Sequence, residues 1–210
     1  MKGLILKDLF VLRKTAKIFI MLMVLYAAMA FFLHTDFGVL MAFIMGMLSV
    51  TSFAYDEQAK WDAYALTMPV SKREMVAAKY LLALILGIAG GVAGMVLSAV
   101  SALGSGNLDI AGILVNTGLA VCATYLFSSI AIPLLYKLGA EKSRLVLMMC
   151  YAVPIIGVTI LLNWLADASV SMPDLMAAAH TAAIALPLVA AAALALSYRI
   201  SLAVFRKKDV

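Results

Sequence analysis

The chain has 210 residues, 66% of them hydrophobic and only 13% charged, and its mean hydropathy is +1.09. That leaves too little polar surface for a soluble globule, so one membrane domain accounts for the whole length. The formal net charge of +5 points to anionic inner-leaflet lipid as counter-charge and not to nucleic acid.

All sixteen Lys and Arg residues can be placed on one side of a membrane. Lys2, Lys7, Arg13, Lys14 and Lys17 precede the first apolar stretch, and Lys60, Lys72, Arg73 and Lys79 separate the second from the third. Lys137, Lys142 and Arg144 separate the fourth from the fifth, and Arg199, Arg206, Lys207 and Lys208 follow the sixth. The opposite connections carry Asp36, Asp109, Asp167 and Asp174 but no basic residue. Lys and Arg bias sets orientation, so the basic clusters and both termini are expected in the cytoplasm. The expected fold class is all-α, a polytopic membrane protein with six transmembrane helices at approximately 18–35, 37–55, 80–103, 110–136, 145–165 and 175–198. Each can supply the roughly 20 apolar residues that a spanning helix needs. Residues 1–210 are expected to form a single transmembrane domain with a cytoplasmic region at 56–79, in a bacterial cytoplasmic membrane.

In chain order, Ile5, Leu9, Leu12 and Ala16 fall on one helical face and Lys7 and Lys14 on another. Two arrangements fit this segment: a short interfacial N-terminal helix, or a basic flank that continues into the first span. The first span has no small-residue cleavage pattern before Asp36 and is expected to stay in the mature protein. A tight His34-Thr35-Asp36 turn leads to the second span.

Between the second and third spans, Trp61, Tyr64, Ala65 and Met68 follow i, i+3, i+4, i+7 spacing and form an apolar stripe, with Asp56 and Lys60 available as an i, i+4 pair. Pro69 ends that helix by disfavouring helical geometry at Met68. Ser71 with Glu74 three residues later matches a capping box, which starts the next helix inside the cytoplasm. The stripe suits either lipid headgroups or a cytoplasmic partner.

The third span carries Gly87, Gly90, Gly91, Gly94 and Ser98, two overlapping rows of small residues that permit close helix packing in lipid. Pro133, Pro154 and Pro187 each remove a helical hydrogen bond. Asn116, Asn163 and His180 are the notable uncharged polar groups near spans, read as interhelical hydrogen-bonding residues; His180 also invites a proton-relay reading. Cys122 and Cys150 are read as small packing residues, not a metal or disulfide pair.

There is no His-Glu-x-x-His metal motif, no Gly-x-Ser-x-Gly nucleophile turn and no Gly-rich phosphate loop, so catalytic, metal and cofactor-binding residues are expected to be none. If ATP powers this protein, another polypeptide must bind it.

The run Tyr55-Asp56-Glu57, Trp61-Asp62, Leu66-Thr67-Met68-Pro69-Val70-Ser71-Lys72-Arg73-Glu74 and Lys79-Tyr80-Leu81 resembles the small permease subunits of type-2 ATP-binding-cassette exporters, as does the opening Met-Lys-Gly-Leu-Ile-Leu-Lys-Asp-Leu. The resemblance implies a coupling helix between spans two and three, with Asp56, Glu57, Trp61, Tyr64 and Met68 facing a separate ATPase. It further implies cytoplasmic ATPase subunits and a second permease copy or sister permease as partners, beside membrane lipid. An energy-independent module is the alternative: a channel, a secondary carrier or a peptide-immunity protein. The absence of intramembrane charges favours the ATP-driven reading.

Overall fold

A computed structural model of the chain describes the backbone of residues 2–33, 35–65, 67–106, 109–167 and 172–207, with side chains for the same residues except 2, 14, 16, 62 and 140–184. Six helices follow one another: α1 (Lys2–Leu33), α2 (Gly38–Gln58), α3 (Trp61–Ala65), α4 (Lys72–Ser105), α5 (Ile110–Asp167) and α6 (Met172–Lys207). No strand occurs among the described residues. α2 lies at the centre and packs on α4 and α5; α1 packs chiefly on α4, and α6 on α5 and α4.

Among the described residues, four helical segments are long and apolar enough to cross a membrane: Gly38–Gln58, Lys72–Ser105, Ile110–Gly139 and Ala185–Lys207. Gly3–Arg13 and Lys17–Leu33, the two arms of α1, make a fifth if counted together, and they meet at an angle of 62°. Of the six expected spans, the fifth and the start of the sixth fall on residues whose side chains lie outside the described set. Ile18, Ile20, Met21, Val24, Leu25 and Phe32 on α1, and Leu188, Val189 and Leu196 on α6, are all exposed. An apolar surface of that extent has hydrocarbon as its natural solvent.

The bend in α1 follows from its composition. The first arm carries Lys7, Asp8 and Arg13, whereas the second has no charge beyond Lys17, so the two arms differ sharply in polarity. α5 is interrupted at Gly139, whose φ of 80° and ψ of 170° lie outside helical geometry and in a region that only glycine enters freely. The inner connection expected around Gly139 is therefore a sharp break between two helical arms.

α4 begins where its capping signals place it. Ser71 Oγ accepts the Glu74 backbone N–H at 3.3 Å, and Glu74 Oε2 accepts the Ser71 backbone N–H at 2.9 Å. Together they satisfy two N-terminal donors that the helix itself cannot pair.

The glycines of α4 set the depth of packing on both sides. A Cβ at Gly94 would stand 2.5 Å from the Gly38 carbonyl oxygen, and one at Gly90 would stand 2.7 Å from that of Ala42. These two let the α2 backbone lie directly on α4. Gly91 and Gly87 face α5 instead, against Val121 and Tyr125.

α2 and α4 run antiparallel. Gly38 meets Gly94 at one end, while Ser52 meets Lys79 at the other. At a rise of 1.5 Å per residue, Gly38 and Asp56 are separated by about 27 Å along α2, close to the thickness of a hydrocarbon core.

Candidate functional site

At the basic end of the bundle, four charged side chains from three helices converge. Lys7 and Asp8 come from the first arm of α1, Asp56 from the last turn of α2 and Lys79 from the start of α4. Lys7 Nζ lies 2.5 Å from Asp56 Oδ1 and 2.9 Å from Asp8 Oδ1. Lys79 Nζ lies 3.0 Å from Asp8 Oδ2 and donates to Ser52 Oγ at 2.7 Å. Lys79 Nζ also stands 2.5 Å from Asp56 Oδ2, but that oxygen receives no aligned hydrogen bond, so the contact there is one of charge.

Asp8, Asp56 and Lys79 are 2%, 8% and 8% exposed. Such burial is tolerable because two cations face two anions and nearly every oxygen has a donor; removing any one member would strand a charge. Ser52 and Asp56 reach the same spot because residues four apart on a helix share a face.

Two aromatic rings complete the cluster. Lys7 Nζ sits 4.3 Å from the centroid of the Trp61 ring on α3, and Lys79 Nζ sits 5.0 Å from that of Phe53 on α2. An ammonium over an aromatic face is attracted by the ring quadrupole, more so when water is excluded. Trp61 also packs against a core of Ala65, Met75, Val76, Tyr80, Ile132, Tyr136 and Phe205. α3 is thereby tied to α1 through charge, and it joins the apolar core to which α4, α5 and α6 contribute, while its backbone lies against α2.

The structure divides the five residues expected to face a partner. Asp56 and Trp61 turn inward, Asp56 into the ion cluster and Trp61 onto Lys7 and the core. Glu57, Tyr64 and Met68 stay exposed, Tyr64 at 57%. Glu57 lies over the break in α5, where its Oε1 would be 2.5 Å from a Cβ at Gly139.

Two expectations require correction. Asp56 pairs with Lys7 and Lys79 instead of Lys60, because α2 ends at Gln58 and Lys60 adopts a positive φ of 48°. α3 closes at Ala65, so Met68 stands in the turn after it and the stripe is not one continuous helical face. Pro69 stands four residues beyond the end of α3, after two i, i+3 backbone bonds (Thr67 N–H to the Tyr64 carbonyl, Met68 N–H to the Ala65 carbonyl), and the Met68 carbonyl accepts the Val70 N–H across it at 2.7 Å.

Sequence reasoning overlooked Lys7, Asp8, Ser52 and Lys79. A usable signal was Asp8, the lone acid in an otherwise basic opening segment. Of the other polar residues noted, Asn116 is exposed near the far end of the bundle and Cys122 is a half-buried free thiol. The side chains of Cys150, Asn163 and His180, and those of Asp62, Leu66, Lys142 and Arg144, lie outside the described residues. Among the described residues no group of three or more His, Cys, Asp or Glu is placed to hold a metal ion.

A multi-pass helical membrane protein with a short helix clamped beneath its spans by buried charges and a tryptophan has the architecture of a transport permease. Residues 3–206 match the family model described as ABC-2 family transporter protein, and the chain belongs to that family. No curated protein and no solved structure matches it.

Proposed function

We propose that this permease is the membrane-spanning subunit of an ATP-driven exporter and that a separate cytoplasmic ATPase energises it through α3. The observation that carries this reading is the double attachment of Trp61. One side of its indole meets the Lys7 ammonium, and the ring also packs on the core shared by α4, α5 and α6. Tyr64, 5.6 Å from Trp61 between ring centroids, is left exposed beside it. A partner that grips Tyr64, Met68 and Glu57 would therefore move a rigid element that three helices and an ion cluster feel at once.

In this arrangement the chain binds no nucleotide and catalyses no reaction itself; the ATPase subunits hold the ATP. The complete transporter contains this chain with a second copy or a sister permease. The basic segments, including α3, face the cytoplasm. Copurification from native membranes tests the reading: the unmodified chain should bring down an ATPase, and Tyr64→Ala should lose it while inserting normally. Full insertion with no ATPase recovered by the unmodified chain would favour an energy-independent module instead.

A further inference from the structure

A groove of about 460 Å³ lies in the crook of α1, walled by Leu9 and Phe10 from the first arm and by Phe19 and Ile20 from the second. Met41, Leu48 and Leu86, all buried, form its floor from α2 and α4. Leu48 and Met41 precede Asp56 on α2, so the groove reaches from about 12 to about 22 Å along that helix from the ion cluster. It therefore runs lengthwise along the span, while Leu9, Phe10 and Ile20 leave its mouth open on the outer surface of the bundle.

Arg13 ends the first arm and Lys17 begins the second, so two cations bracket the bend. Arg13 lies on the groove and is its single polar lining residue among those described. Both side chains are exposed, and neither makes an ion pair or a hydrogen bond among the described residues. Asp8, the one acid of α1, is already held by Lys7 and Lys79. No Asp or Glu occurs between residues 9 and 35, 37 and 55, 75 and 108, 110 and 140, 142 and 166, or 175 and 208. A spanning helix from a second copy would thus bring Arg13 no carboxylate from its apolar length. An apolar groove with a cationic rim, open toward hydrocarbon, matches an amphiphile that carries an anion beside a hydrocarbon tail.

We propose that this groove binds one anionic phospholipid, with an acyl chain along its apolar length and the phosphate at Arg13. A guanidinium pairs with two phosphate oxygens at once, and Lys17 adds a second positive charge across the bend. A zwitterionic headgroup is disfavoured, because its ammonium would find two cations and no free carboxylate, so net negative charge selects the ligand. Met23, Met41 and Met45 on the lining are unbranched and adapt to the shape of the chain they receive. Lipid seated there fills the space under the bend and holds the angle at which the first arm delivers Lys7 and Asp8 to the ion cluster. The site rests on the chain's place in a membrane and needs no ATPase, so its test is separate from that of the coupling reading.

The test uses the full chain, delipidated in neutral detergent and titrated with dioleoyl phosphatidylglycerol or dioleoyl phosphatidylcholine under native mass spectrometry. Wild type should take up a single phosphatidylglycerol saturably, with about tenfold preference over phosphatidylcholine. Arg13→Gln alters an exposed side chain and should fold, while its phosphatidylglycerol binding falls to the phosphatidylcholine level. Ala89→Phe places a ring in the groove from an exposed position and should weaken both lipids by about tenfold. Ile88→Phe, at the next position, exposed but off the groove, should change neither. Equal affinity for the two lipids in wild type, no saturable uptake, or unchanged uptake by Ala89→Phe overturns the proposal. A lipid-free dimer that Ala89→Phe splits into monomers also overturns it, and assigns the groove to a second copy.

Discussion

Lys7 and Trp61 are separated by more than fifty positions in the chain, yet the ammonium of one lies over the indole of the other, 4.3 Å from its centroid. The contact joins the first arm of α1 to the short helix α3. It gives the two aromatic residues of α3 different duties, which mutation can separate.

Trp61→Ala should destabilise the protein by about 1–2 kcal/mol, the value of a desolvated cation–π contact, and more where the lost ring leaves a void. Tyr64→Ala, which removes an exposed ring, should leave the melting temperature within a degree or two of wild type. Fluorescence-detected size-exclusion chromatography after heating separates them; equal loss in both variants would deny Trp61 its bridging position.

Lys79→Met should cost about 3–5 kcal/mol, because Asp8 and Asp56 then share a single cation in a buried setting. Adding Asp56→Leu to Lys79→Met returns the cluster to one cation and one anion. Part of the lost stability should come back, measured as a higher unfolding temperature for the double variant than for Lys79→Met. A double variant worse than the sum of its singles would show that the four groups do not act as a charge-balanced set.

Gly94→Leu should drive α4 from α2, since even a Cβ at that position meets the Gly38 carbonyl oxygen. Overpacking of this kind costs about 1–3 kcal/mol, and contact with backbone places it at the upper end. Folded yield after detergent extraction should fall sharply, while Gly118→Ala, where a Cβ meets nothing within 4 Å, should be neutral.

Orientation is open to labelling. In a chain with Cys122 and Cys150 replaced by Ala, Ser71→Cys should react with an impermeant maleimide only after the membrane is opened, and Thr35→Cys should react in intact cells. The reverse pattern would invert the topology expected from the basic clusters.

Helix positions were legible where local chemistry decides them. Ser71 and Glu74 announce the start of α4 through a contact three residues long, and the glycines of α4 announce close packing through spacing alone. Two limits of sequence reasoning show at Asp56 and Met68. The partner of Asp56 was sought four residues away because helical periodicity supplies only local neighbours, whereas its cations arrive from α1 and α4. Met68 was assigned to α3 because its spacing fits, but the chain had already left helical geometry.

The ion cluster also constrains the order in which the protein can be made. Lys7 must wait for Asp56, 49 residues later, and Asp8 for Lys79, 71 residues later. A ribosome delivers the first arm of α1 well before either counter-charge exists, and charges left unpaired cannot enter hydrocarbon. The nascent arm must therefore stay outside hydrocarbon until α4 emerges, and closure of the cluster is a late event in biogenesis, ruled by the slow search for partners distant in sequence.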